Sequence, residues 1–223
     1  MKARKFLLLL LNSITLLGML FANYAGSSGK YFKNTVAEIS HKHDSLFTPA
    51  GYTFSIWAAI FLSIILFAIY QWILFFSGDK NHYIKRTGPW FTLSNIFNAM
   101  WIYVWVHDML GLSVVLIFLL LLSLMLLMFR LRLELEDAPV RTIFLVWWPI
   151  TIYLGWIMTA TIACVAAWLN SFNWHKAFIP ENLWTMIMIS GAGLLYSVLV
   201  VKRNMREAAL VGIWSFSGIA IRH

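Results

Sequence analysis

The sequence predicts an all-α, polytopic membrane helical bundle of about seven transmembrane helices, and three observations lead there. The 223-residue chain is 61% hydrophobic and only 12% charged, about half the charged share of a soluble domain. Its apolar stretches are continuous, as from Leu112 to Phe129, and lack the alternation of barrel strands. Its basic residues cluster between those stretches, at a mean hydropathy of +0.77. A bilayer offers the backbone no hydrogen-bond partner, so spanning segments must pair their own N–H and C=O groups. Helices do that.

Runs of about 20 apolar residues, the length of a span, are Phe6–Tyr24, Ala50–Phe76, Gly88–Val106, Leu112–Phe129, Thr142–Leu169, Leu183–Val201 and Ala208–Ile221. The first follows a basic start. It is longer than a signal-peptide core and lacks a clean A-x-A site, so it reads as a retained helix in preference to a cleaved leader. The second opens on Thr48-Pro49, an N-cap hydroxyl followed by proline at the first helical position. Pro89, Pro139 and Pro180 mark other starts, whereas Pro149 falls inside the fifth span. There it removes a backbone donor and predicts a kink that frees a carbonyl near Leu145. The seventh run is short and is followed at once by Arg222-His223, which suggests a truncated C-terminus.

One set of loops holds Lys2, Arg4, Lys5, Lys80, Lys85, Arg86, Arg130, Arg132, Arg141, Lys202, Arg203 and Arg206. The alternate set holds only Lys30, Lys33, Lys42 and Lys176, with Arg222 at the end. Short basic loops stay cytoplasmic, which predicts a multi-pass protein of the cell membrane with its N-terminus inside. The longest loop, residues 25–47, then lies outside as a lid or docking surface.

Several function classes lose ground here. The net charge of +8 is spent on orientation, so no nucleic acid is expected as a partner; the bilayer and a small hydrophobic ligand are. No Asp, Glu, Lys or Arg lies deep in a span, against the usual equipment of ion-coupled transporters. His41, His43 and Asp44 lack further metal ligands at a recognisable spacing. The lone Cys164 excludes an internal disulfide and reads as a packing residue. The seventh span has no lysine for a retinal Schiff base. No catalytic residue is predicted.

Twelve tryptophans carry the positive signal. Trp72, Trp90, Trp174 and Trp184 sit near span ends, where an interfacial belt explains them. Others form stripes at helical spacing: Trp57, Phe61, Ile64 and Ala68; Ser94, Asn98, Trp101 and Trp105; Tyr153, Trp156, Ala160 and Cys164. Such stripes suit bundle packing with Asn98 as interhelical glue. They equally suit a cavity stacking on a flat apolar ligand that Asn98 and Tyr153 orient. Small-residue clusters at Ser190-Gly191-Ala192-Gly193 and at Gly212, Ser215 and Ser217-Gly218 suit close helix packing or a homo-oligomer interface.

Three of these stretches resemble the TspO/MBR family of tryptophan-rich sensory proteins. The P-P-G-x-x-F-x-x-x-W start of that family's second helix is similar to Pro49-Ala50-Gly51-Tyr52-Thr53-Phe54-Ser55-Ile56-Trp57, with the Phe-to-Trp spacing shifted. Its third-helix Q-L-x-x-N-x-x-W is similar to Ser94-Asn95-Ile96-Phe97-Asn98-Ala99-Met100-Trp101, with Ser for Gln. Its fifth-helix P-Y-x-x-W-x-x-x-A-x-x-L-N matches at Tyr153, Trp156 and Ala160, while Pro149 stands upstream and Ala163-Cys164 replaces Leu-Asn. The resemblance covers residues 6–169. It implies a five-helix domain over 1–169, with outer loop 25–47, followed by two additional helices in 170–223. It also implies a pocket for porphyrins, other tetrapyrroles or similar flat ligands, with no further cofactor required. Trp57, Asn98, Trp101, Tyr153 and Trp156 would line or support that pocket, and the stripes add Phe61 and Trp105. A sensor or carrier is the leading expectation; a membrane enzyme on such ligands and a partner-binding scaffold are its rivals.

Overall fold

The computed structural model describes residues 2–78, 82–135, 137–172 and 180–223; Lys80, Trp174 and Lys176 fall outside them. Among the described residues the long helices are α1 (Lys2–Ser27), α3 (Ile56–Ser77), α5 (Trp90–Val106), α6 (Leu110–Leu131), α8 (Trp148–Ser171), α9 (Glu181–Arg203) and α10 (Arg206–Arg222). Short helices α2 (Val36–Lys42), α4 (Tyr83–Thr87) and α7 (Val140–Thr142) lie between them. All seven expected segments are helical.

Among the described residues, five stretches are long and apolar enough to cross a membrane: Lys2–Ser27, Gly51–Ser77, Leu110–Leu131, Val140–Ser171 and Glu181–Arg203. The count of seven spans is thus not reached on length and composition. Helices α5 and α10 have 17 residues each, about 25 Å at 1.5 Å per residue. Both are closed by turn chemistry: Gly88 (φ 55°) and Pro89 precede α5, and Asn204 (φ 57°) precedes α10.

Helices α1, α5, α6, α8 and α3 form a ring in that order, with α3 returning to α1. The core at its centre includes Phe67, Leu120, Leu124, Ile150 and Tyr153, all fully buried. Helix α10 packs on the outside of α8, and α9 packs mainly on α10. Gly155 allows the α8–α10 approach, since a Cβ there would stand 3.1 Å from the Ala208 backbone. Outward faces remain apolar, as at Leu17, Leu62, Phe76 and Leu194, which suits lipid contact.

Pro149 produces a specific local answer. The residues before it, Ile143–Trp147, form a π turn between α7 and α8. Proline cannot donate to the carbonyl of Leu145, four residues back, and the wider turn takes up that defect.

The 25–47 loop is partly helical. Thr35 caps α2: its Oγ1 accepts from the Glu38 amide at 3.2 Å, and the Glu38 carboxylate accepts from the Thr35 amide at 2.6 Å. This reciprocal pair is a capping box. The loop lies over the end of the ring opposite the basic loops, held by Trp105 Nε1 donating to the Val36 carbonyl at 3.1 Å and Asn34 Nδ2 to the Val106 carbonyl at 3.2 Å.

Candidate functional site

Residues four apart on a helix share a face. On α3 this brings Trp57 over Phe61, stacked at 5.1 Å and 25°; on α5 it brings Trp101 over Trp105, at 5.2 Å and 22°. On α8 the same spacing aligns Trp156 with Ala160, leaving room beside the indole. Trp57 meets Trp156 edge-on at 6.0 Å, and Phe54, in the 3-10 turn Gly51–Ser55, meets Trp156 at 5.8 Å.

These aromatics enclose a cavity of about 480 Å³ beneath the loop, within the usual size of small-molecule sites. Trp57, Phe61, Trp101 and Trp156 line it, with Leu20, Asn23 and Tyr24 from α1, Val36 and His41 from α2, and Arg222 from α10. A smaller chamber of about 60 Å³ adjoins it, sharing Val36, Phe54, Trp101 and Trp156 and adding His43, Trp105, Ala163 and Cys164. The buried Nε1 of Trp156, a residue on the wall of both, has no hydrogen-bond partner.

Asn98 and Tyr153 are placed differently from the other sequence-derived site residues. Both are fully buried behind the cavity. Asn23 Nδ2 donates to Asn98 Oδ1 at 2.7 Å, and Asn98 Nδ2 donates to Tyr153 Oη at 2.9 Å. Asn98 therefore holds α1 and α8 to α5, and Asn23 is the member of that relay on the cavity wall. Trp105 lines only the smaller chamber.

The rim is polar. Lys42 and His43 both pair with Asp108, His43 Nε2 lying 2.6 Å from Oδ1. Burial alone would raise the Asp108 carboxyl, but hydrogen bonds and charges from His43 and Lys42 hold it below its ordinary range. Asp108 itself sits at φ 62° in the α5–α6 turn, a left-handed conformation that costs a non-glycine residue energy. On the other flank Glu181 Oε1 accepts from the Leu46 amide at 2.9 Å, and Arg222 pairs with Asp44 at 2.6 Å. His41, His43 and Asp44, adjacent in sequence, thus point to three different places: the cavity, Asp108 and Arg222.

The sequence reading missed Asn23, Phe54, His41 and Arg222. Two of these had a signal. Asn23 is an amide in an apolar run, and the Thr35-x-x-Glu38 box announces the helix that carries His41 to the wall. Phe54 stood within the quoted motif, and nothing local marks Arg222.

A family model described as "TSPO-like protein" matches residues 9–223, a stretch that includes α9 and α10. No curated protein matches the chain, and no solved structure does.

Proposed function

The chain belongs to the TSPO-like protein family, and on that premise we propose that it is a membrane sensor or carrier for a tetrapyrrole-like or other flat hydrophobic molecule. The observation that supports this reading most is the 480 Å³ cavity walled by Trp57, Phe61, Trp101 and Trp156. Indole faces stack on flat apolar rings, and the unpaired Trp156 Nε1 suits an acceptor atom on such a ring. Trp105 shapes the side chamber; Asn98 and Tyr153 act from behind, by fixing Asn23.

The same reading extends to topology. Helices α5 and α10 cross the bilayer with the other five, their shorter length met by local thinning of the bilayer. The basic loops face the cytoplasm, and the 25–47 loop faces outward as the lid.

The test is a titration of purified protein with protoporphyrin IX, followed by tryptophan fluorescence. Saturable quenching is expected, weakened several-fold in the Trp57→Phe, Trp156→Phe double variant. No saturable quenching, or identical curves for the two proteins, would sink the proposal.

A further inference from the structure

Among the described residues that line the larger cavity, all are apolar or formally neutral except Arg222, the final residue of α10. A cation against an apolar wall is costly unless it is paired and hydrogen-bonded, and the Arg222 side chain is only 19% exposed. Its guanidinium has five N–H donors in a rigid fork. The structure gives it two bonds: Nη1 to the Pro49 carbonyl at 3.2 Å and Nη2 to Asp44 Oδ2 at 2.6 Å. These fix the fork at the cavity wall and leave three donors over. Asp44 is itself 45% exposed, so water screens much of its charge.

We propose that Arg222 anchors an acidic substituent of the cavity's ligand, so that the site takes amphipathic acids: a flat apolar body against the tryptophans and a carboxylate at the guanidinium. This rests on the reading of the cavity as a ligand site. A fixed fork with free N–H groups binds a carboxylate through charge-assisted bonds that no ester or hydrocarbon can replace. Ser27 and Ser40 line the same cavity and add hydroxyl donors. The assignment also gives the two C-terminal helices a task. Helix α10, braced by α9 and seated on α8, delivers a cation to a cavity otherwise walled by the five-helix ring and its loop.

The experiment compares protoporphyrin IX with its dimethyl ester on the purified full chain, using tryptophan quenching. Wild type is expected to prefer the acid by about tenfold or more, the range of a charged hydrogen bond. Arg222→Gln is expected to lose that preference while keeping its affinity for the ester, and Arg222→Lys to keep part of it. Asp44→Asn separates anchoring from simple latching of the loop. It breaks the ion pair but spares the guanidinium, so the acid preference is expected to persist. Equal affinities in wild type, an undiminished preference in Arg222→Gln, or a loss in Asp44→Asn matching that in Arg222→Gln overturns the anchor. Binding of the ester with no acid preference leaves the cavity reading standing while removing this one; failure of both ligands to bind removes both.

Discussion

The α1–α5 seam and the tryptophan cavity meet at Asn23, yet they use buried polar atoms in opposite ways. In the seam, amides and hydroxyls bond one another: Thr92 Oγ1 donates to Asn12 Oδ1 at 2.7 Å and Asn95 Nδ2 to Thr15 Oγ1 at 3.3 Å, while Asn12 Nδ2 reaches across to Gln71 Oε1 on α3 at 3.2 Å. Gln71 Nε2 and Asn95 Oδ1 are the atoms left over. The Asn23–Asn98–Tyr153 relay completes it. In the cavity the walls are indole faces and small side chains, and the polar groups stand at the rim. A buried amide inside a membrane bundle therefore marks helix cohesion when a second amide faces it. Ligand space opens where large rings and small side chains such as Ala160 line the same cavity.

The largest effect that separates the two regions is expected from Asn98→Leu. It leaves Tyr153 Oη without its partner, at about 1–3 kcal/mol for a buried group left unsatisfied. It also removes one bond of Asn23 Nδ2, which still donates to the Met19 carbonyl at 2.9 Å, at about 0.5–1.5 kcal/mol. Thermal unfolding in detergent is expected to show a loss of about 2–4 kcal/mol, with porphyrin affinity per folded molecule little changed. A large affinity loss at unchanged stability would return Asn98 to the cavity.

Gly218→Ala attacks the other region. A Cβ there would fall 2.0 Å from Thr53 Oγ1, and the Gly218 carbonyl accepts from the Ala50 amide at 2.9 Å. The 3-10 turn that carries Phe54 must move, at a local cost of about 1–3 kcal/mol. Weaker ligand quenching is expected, with hydrogen exchange in the α1–α5 seam unaltered. Loss of seam protection as well would mean that the two regions are one unit.

Asp108→Asn is expected to act on the lid alone. The pairs it breaks are partly exposed, Lys42 at 60%, so the stability loss is at most about 1 kcal/mol. Amide exchange across α2 is expected to quicken and ligand to enter and leave faster. The pH sign follows from the lowered Asp108 carboxyl: its contribution is present above its unfolded value, about 4, and is lost as pH falls through the folded one. Wild-type α2 therefore loosens on acidification, and the variant is already loose at neutral pH. Exchange rates that match at neutral pH would show the latch to be idle.

The helices were legible because each apolar run records its own burial in lipid, and the structure moves the expected ends by only a few residues, outward from Leu112–Phe129 to Leu110–Leu131 and inward from Gly88–Val106 to Trp90–Val106. The stripes on α3, α5 and α8 were legible for the same reason, since spacing by four fixes a shared face. Spacing along one helix does not say what stands opposite, and that is why Asn98 read equally as interhelical glue and as a group orienting a ligand. Its partner Asn23 lies 75 residues away in sequence. Arg222, reaching Asp44 across 178 residues, was hidden in the same way. The π turn was half legible: Pro149 announced a defect, and only the packing around α8 decided that a wider turn would absorb it.

A carboxylate at the basic end gives the smallest effect and the opposite sign to Asp108. Glu134 follows α6, half-buried, and burial first and then the neighbouring Glu207 charge push its carboxyl up to about 7, against a lowering by Arg206. A folded value above the unfolded one favours the protonated form, so the contribution is complete below about 4.5 and is lost as pH rises through 7. Solvent screening keeps the change below about 1 kcal/mol. Glu134→Gln is therefore expected to raise the unfolding midpoint at pH 8 and to leave it nearly unchanged at pH 4. The wild-type midpoint falls between those values as the carboxylate ionises beside Glu207. An equal shift of the variant at both pH values would show that the site answers to packing, with charge at this end contributing nothing comparable to the latch at the other.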